Sequence, residues 1–426
     1  MTLAAVAALA LLAAAPDNEC QRGRCQRSRG GRSASSNAID YAFFEFAPTS
    51  GAGMTAPCAC SAVTGAKGEA VTFTRGSSGV CSKTGLSSGI SNGDLVTCST
   101  NQPRVMSGGT GAVGLLIEST STNSTLRSQE LDNAAWTLSN TGSSNPTVTA
   151  NHDVAPDGTT TAERIQVPAT TTTNVSQISQ TGGCPTGTQT LSFYIKSLSG
   201  AQQIDLYATD GCVQCAFSSA SWTRCSTITS TGSAPAFGNI GAAACGSGSR
   251  SAIDALIWGV QCEARAFPSS YIATAGATVA RSPDVAQVSL SLANATGSMF
   301  ASVVPLGTTS LCGASSDCGV LALSAAGPAY RQLLYYAHGT FTAAWASSVS
   351  GIATRGWVPA EGTQARLGGW WNASNVAVLV NGAETTAAAG TYGASTILEI
   401  GGYNAARAPN SVVKQVCVDS SATRCR

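Results

Sequence analysis

The chain has 426 residues, of which 43% are hydrophobic and 11% charged, and its formal net charge is +1. Such a length exceeds one ordinary core and predicts two or three domains. The composition is too apolar for a disordered chain and too poor in Glu and Lys for a helical one, and a nearly neutral body offers no field for a nucleic-acid backbone, so no nucleic-acid partner is expected.

At the N-terminus, "LAAVAALALLAAA" over residues 3–15 is an unbroken apolar run. A membrane span needs about 20 residues, so this run fits the core of a signal peptide, with Ala13 and Ala15 forming a small-x-small cleavage pattern. Residues 1–15 are therefore read as a signal peptide. Residues 16–36 read as a basic flexible arm, with Arg22, Arg24, Arg27, Arg29 and Arg32 against Asp17 and Glu19. No other apolar run approaches spanning length, so no transmembrane segment is expected.

Sixteen cysteines fall into even groups. Cys20, Cys25, Cys58, Cys60, Cys81 and Cys98 come first. Cys184, Cys212, Cys215, Cys225, Cys245 and Cys262 follow, and then Cys312, Cys318, Cys417 and Cys425. Even counts per region are what disulfides closed within domains give, and they imply an oxidising compartment. The competing reading is metal, with Cys212, Cys215 and Cys225 supplying three sulfurs at zinc-like spacing. The two histidines, His152 and His338, are near none of them.

Short runs rich in Val, Ile, Thr and Tyr, punctuated by Gly, Asn, Ser and Pro, predict an all-β chain. Residues 37–115 read as a small β-rich N-terminal region, with paired short strands over 73–105 and a turn at Ser91-Asn92-Gly93-Asp94. Residues 145–167 keep a period of two through Val148, Ala150 and Val154, up to the turn Pro156-Asp157-Gly158. "GTQTLSFYIKSLSG" alternates Leu191, Phe193 and Ile195, and "QQIDLYATDG" alternates Ile204 and Leu206. "SWTRCSTITS" and "AIDALIWGVQCEA" complete a set with turn signals at the spacing of a sandwich or jelly roll.

"GLLIES…TNSTLRSQELDNAAWTLSN…VTANHDVAPDGTTTAERI" resembles a module frequent in tailed-phage tail and receptor-binding proteins and in related bacterial surface proteins. That module ends in a tail that is matched here by Glu263, Ser269-Ser270-Tyr271-Ile272, Thr274, Gly276-Ala277, Val279, Arg281 and Asp284-Val285. The resemblance covers about 73–290 and departs from the module in its six cysteines between 184 and 262. It implies a jelly-roll, carbohydrate-binding-like domain over 116–290, with 262–285 as its closing strand and exit arm and a boundary near 286–297.

Residues 298–426 repeat the β pattern. "LGGWWNASNVAVLVNG", with an Asn381-Gly382 hairpin turn, followed by "ILEIGGY", is similar to concanavalin A-like and laminin G-like sandwiches. The expected architecture is thus a jelly-roll β-sandwich plus a concanavalin A-like β-sandwich.

No catalytic residues are assigned. Gly85-Leu86-Ser87-Ser88-Gly89 has nucleophile-elbow spacing without the strand-turn-helix context. Gly109-x-Gly111-x-x-Gly114 has dinucleotide spacing but precedes a strand. Glu361, Glu384 and Glu399 lie on separate elements, whereas glycoside hydrolysis needs two carboxylates close together. Sugar binding asks for less: an exposed aromatic face, with amides and carboxylates to meet hydroxyls. Adjacent residues of a strand point to opposite faces, so one of Trp370 and Trp371 is expected in the core and the other exposed beside Asn372. Tyr335 and Tyr336 pose the same choice, and Trp136, Tyr207 and Trp222 are further aromatic candidates. Asp153 and Asp157 are candidate ligands of a structural calcium, the one cofactor considered, although Asp in a Pro-Asp-Gly turn also serves turn chemistry alone.

The reading is an exported, secreted or cell-surface binding protein whose partners are glycans or a cell-surface polysaccharide. One alternative is a phage-derived tail or receptor-binding structural protein of a virion, with no ligand site of its own. Another is a carbohydrate-active enzyme.

Overall fold

The computed structural model describes residues 41–45, 63–64, 70–82, 88–107, 113–208, 211–229, 234–241, 245, 248–292, 296–307, 317–324, 330–337, 340–345, 352–388, 395–401, 408–420 and 425. The signal peptide and basic arm read at 1–36 lie outside them. The described residues are all β, in antiparallel sheets, as composition and turn spacing predict. No helix among them is long and apolar enough to cross a membrane.

Two sandwiches share the chain. The inner one pairs a five-stranded sheet with a six-stranded sheet. The five-stranded sheet runs Thr137–Thr141, Val175–Ser179, Ala236–Ile240, Gln202–Ala208, Gly211–Phe217. The six-stranded sheet runs Thr147–Asp153, Ala162–Val167, Ile253–Glu263, Gln189–Ser197, Trp222–Thr229, Ser88–Ile90. Their facing side chains, among them Ile165, Ile178, Leu191, Phe193, Ile195, Leu206, Phe237 and Ile257, form one buried cluster. Phe193 and Phe237 meet across it with ring centroids 4.8 Å apart.

Strand Gln189–Ser197 is buried on both faces, which is why its sequence reads as nearly continuous burial rather than a polar alternation. Leu191, Phe193 and Ile195 face the sandwich core, while Tyr194 turns the other way. On that far side Tyr194, Trp222, Leu256, Trp258 and Tyr271 meet Ile90 and Leu95 in a second cluster. The hairpin Gly79–Ser82 with Leu95–Cys98, closed by Cys81–Cys98, supplies the cover, and Ser88–Ile90 pairs with the sheet edge at Trp222.

The outer sandwich is built from both ends of the chain. In one sheet the order is Ala383–Ala388, Asn375–Val380, Ala365–Trp371, Gly297–Pro305, Ser411–Asp419, Val113–Ile117, Val105–Ser107. Tyr41–Glu45 pairs with the other end of Ser411–Asp419. In the opposite sheet Val285–Leu292 lies between Ala70–Thr74 and Ser395–Ile400. The core draws Phe73, Leu115 and Ile117 from the N-terminal stretch and Val303, Leu321, Leu367, Leu398 and Val416 from the C-terminal one.

This corrects the expected domain order. Of the strands expected in a separate region over 37–115, Tyr41–Glu45, Ala70–Thr74, Val105–Ser107 and Val113–Ile117 complete the C-terminal sandwich, while Ser88–Ile90 joins the inner one. The boundary expected near 286–297 falls on Val285–Leu292, a strand paired on both sides. Apart from the edge strand Ser88–Ile90, the inner sandwich is inserted into the outer one, leaving it after Ile117 and returning before Val285. Short period-two runs name the strands but not their partners, because antiparallel pairing across about 300 residues leaves no local signal.

Cysteine pairing follows the groups read from the sequence: Cys81–Cys98, Cys184–Cys262, Cys212–Cys245, Cys215–Cys225 and Cys417–Cys425. Cys318 is also disulfide-bonded. Cys212, Cys215 and Cys225 sit in two different disulfides, so they do not form the zinc set. The Asn381-Gly382 turn is present, with φ of 51° and 83°, the left-handed pair that a two-residue hairpin of this kind requires.

Candidate functional site

The motif read over residues 263–285 converges on the neck between the two sandwiches. There Ser121–Asn123 pairs with Val279–Arg281 as a two-stranded ribbon. Just outside it, the Glu118 N–H donates to Asp284 Oδ2 at 2.9 Å, and the Asp284 N–H donates to Glu118 O at 2.9 Å. Arg104 donates to both carboxylates, through Nη1 to Glu118 at 2.8 Å and through Nη2 to Asp284. Arg75 reaches Asp284 at 3.1 Å and Arg281 reaches Glu118 at 3.4 Å. All five side chains are buried.

Burial would raise the Glu118 carboxyl, but Arg281, Arg104 and the Ser270 hydroxyl and N–H hold it well below the usual carboxylate range. Burial likewise acts against the Arg104 guanidinium, and Asp284 and Glu118 reverse that and raise it. Asn123 fixes the rest of the motif. It donates to Val260 O and Ile272 O and accepts from Thr125 and from the Cys262 N–H. Glu263 accepts from Ser121, Ser269 and Gln261, Tyr271 meets the Ser128 hydroxyl at 2.7 Å, and Thr274 donates to Thr125 O. The polar residues of this motif therefore form a buried clamp, while Gly276, Ala277 and Val279 are exposed.

The aromatic platform expected at Trp370 and Trp371 is absent, because both indoles are buried, at 8% and 0% exposure. Alternation does hold: Trp371 enters the outer core, its ring lying where a Cβ on Gly297 would sit, and Trp370 leaves on the opposite face in register with Ser298. That face is covered. Cys417–Cys425 brings the C-terminal turn back, the Cys425 N–H donates to Ser298 Oγ, and Cys425 packs with Phe300. Asn372 is occupied as a turn residue, accepting from the N–H groups of Ser374 and Asn375.

Tyr336 is buried too, edge-on to Trp357 with centroids 5.9 Å apart, and the Tyr335 side chain lies outside the described residues. Trp136 and Trp222 are buried, their indole N–H groups donating to Arg127 O and Asn92 Oδ1. Asp157 accepts from the Thr159 N–H and hydroxyl, and Asp153 from the Val154 N–H, so each caps its own turn. Among the described residues, Asp205, Cys212 and Cys245 are brought close enough to share a metal ion, but the two sulfurs are joined to each other.

The outer face of the inner sandwich's five-stranded sheet is polar and part-exposed on the strands that flank buried Ala236–Ile240. Its strand Val175–Ser179 alternates: Ser176 and Ile178 are buried, while Val175, Gln177 and Ser179 are half-buried. Register carries Gln177 across the sheet in one row, Ser139–Gln177–Gly238–Asp205–Gln214. At strand spacing this row is roughly 19 Å long. Gly238 at its centre is buried, and at φ 146° a side chain there would run into the Ser176 carbonyl. Gln177 donates to Ser139 at 3.4 Å and Gln214 to Asp205 at 3.3 Å. Asp205 is anchored below them, accepting from the Ile240 N–H and from Arg250 Nε, and the loop carrying Arg250 is tied down by Cys212–Cys245. Thr137, Ser179 and half-buried Tyr207 flank the row. Its signal in the sequence was polar alternation in "VSQIS" and "QQIDLYA", which marks a wet face without marking a site.

No family model matches the chain, and no curated protein matches it. Solved structures show weak likenesses. A mutant Trypanosoma rangeli sialidase displaying trans-sialidase activity is 13% identical, over 33% of this chain and 25% of its own, with a TM-score of 0.27. Domains LG4-5 of the mouse laminin alpha1 chain are 12% identical, over 56% and 85%, with a TM-score of 0.22. The CBM22 tandem of Paenibacillus barcinonensis Xyn10C is 13% identical, over 68% and 93%, with a TM-score of 0.21. The chain thus spans about a quarter of the length of the sialidase it matches. At such scores the architecture rests on the sheet pairing described above.

Proposed function

We propose that the protein is exported and binds glycans on the outer face of the inner five-stranded sheet. The observation that carries this reading is the row of part-exposed polar side chains at Ser139, Gln177 and Gln214, set around buried Gly238 and Asp205, with half-buried Tyr207 beside it. Amide groups offer both donors and acceptors to sugar hydroxyls, and a phenol ring offers a face for the apolar side of a pyranose. Disulfides closed within each cysteine group support export, since such bonds persist in oxidising compartments.

The test is a glycan array on the purified chain, followed by titration of any hit. The double variant Gln177→Ala/Gln214→Ala should weaken binding by at least about tenfold, roughly 1.4 kcal/mol. Unchanged affinity in that variant would move the site elsewhere. The burial of the polar residues of the phage-like tail motif favours a second reading, a scaffold protein of a larger surface assembly. An array with no hit, together with copurification of the chain in a stable complex, would favour it.

A further inference from the structure

The neck carries more positive charge than its carboxylates match. Arg75, Arg104, Arg265 and Arg281 are all buried there, against Glu118, Glu263 and Asp284. Guanidinium groups stay protonated in proteins, so one positive charge is left over. The carboxylates are already heavily used. Glu118 accepts from the Ser270 N–H and hydroxyl and from Arg104, and is ion-paired with Arg281 at 3.4 Å. Asp284 accepts from Arg75, Arg104 and the Glu118 N–H. Glu263 is taken by Ser121, Ser269 and Gln261, and Arg265 comes only to 4.0 Å of it.

Arg281 is the residue left short. Its Nη2 donates to Ser119 O at 3.1 Å, but its Nη1 stands 4.0 Å from Asp284, beyond hydrogen-bonding reach. Both Nη1 and Nε are buried and have no acceptor among the described residues, and Arg104 Nε is in the same position. Burial above all, with Arg104 and Arg265 adding to it, pulls the Arg281 guanidinium below its ordinary range. A buried donor without an acceptor is rare in folded proteins and points to a bound water or ion. A water would satisfy the donor and leave the charge; an anion answers both.

We propose that the neck binds one small inorganic anion of the halide class, held by the Arg281 guanidinium. The ion neutralises the excess charge where the two sandwiches join, so it locks their junction and takes no part in surface recognition. Chloride is the class member available in any extracellular fluid.

Bromide is the probe. Crystals of the full chain grown in sodium bromide should show one anomalous peak within hydrogen-bonding distance of Arg281. In solution, at fixed ionic strength with gluconate as the balancing anion, the unfolding midpoint should rise saturably with bromide. In Arg281→Met, which removes the charge and keeps a long side chain, the midpoint should not respond. The proposal is overturned if the anomalous map shows no bromide at Arg281, or bromide at surface positions only. It is equally overturned if the midpoint follows ionic strength whatever the anion. Should Arg281→Met fail to fold, the anomalous map of the unmodified chain still decides.

Discussion

The two sheets of the inner sandwich pack on one core, yet their far faces have different fates. The central strands of the six-stranded sheet, Gln189–Ser197 and Ile253–Glu263, are buried on both faces, because Tyr194, Trp222 and Trp258 on the far side are covered by the Cys81–Cys98 hairpin. Its five-stranded partner carries polar side chains on its far face, part-exposed at Ser139, Gln177 and Gln214 on either side of buried Ala236–Ile240 and Asp205. Large apolar side chains on the far face call for a cover, and polar ones leave a face free for water or a ligand. The inserted sandwich is thus clamped to its host on one side and presents a surface on the other.

That contrast can be broken from the clamped side first. Asp284→Ala removes one partner of a buried charge network and should cost about 3–5 kcal/mol, because Arg75 and Arg104 are left uncompensated. Denaturant unfolding measures it, and a loss near zero would mean that the neck is wet. Trp258→Ala should cost a similar amount, about 3–5 kcal/mol, by leaving a cavity under the hairpin. The matching change on the open sheet, Tyr207→Ala, should cost about 1 kcal/mol or less. Equal losses at the two positions would erase the difference between the faces. Replacing Cys81 and Cys98 together with Ser opens a 17-residue separation and should cost about 3 kcal/mol, read in the same assay.

A pH profile sharpens the comparison further. Glu163 is buried in the six-stranded sheet, and burial pushes its carboxyl up to about 8, with neighbouring Asp132 adding to the rise. Its folded-state value lies above its unfolded one, so the folded chain holds this proton more tightly. The stability this provides is full below the ordinary glutamate range and is lost as pH rises toward about 8. Thermal unfolding should therefore show a decline across that window that Glu163→Gln flattens; a decline of the same depth in the variant would assign it to other groups. The smallest stability effect belongs to the open face, where Gln177→Ala/Gln214→Ala should stay within about 0.5 kcal/mol per site while binding is lost.

The amino-acid sequence by itself determined the local and the covalent. Turn residues and period-two runs marked the strands of the inner sandwich, such as Gln189–Ser197 and Ile253–Glu263, and Asn381-Gly382 marked a hairpin by its need for positive φ. Cysteines grouped along the chain paired within those groups. What tertiary structure alone decided was who covers whom. Alternation separated Trp370 from Trp371 correctly, but the C-terminal turn stapled by Cys417–Cys425 lies on the face where a platform was expected. The closing motif at 263–285 was visible as a pattern, and only pairing across the neck turned it into a clamp. Val285–Leu292 reads as an exit arm until Ala70–Thr74 and Ser395–Ile400 are placed on either side. The reason is the same each time: a side chain's direction is fixed by its own backbone, whereas its burial depends on segments hundreds of residues away.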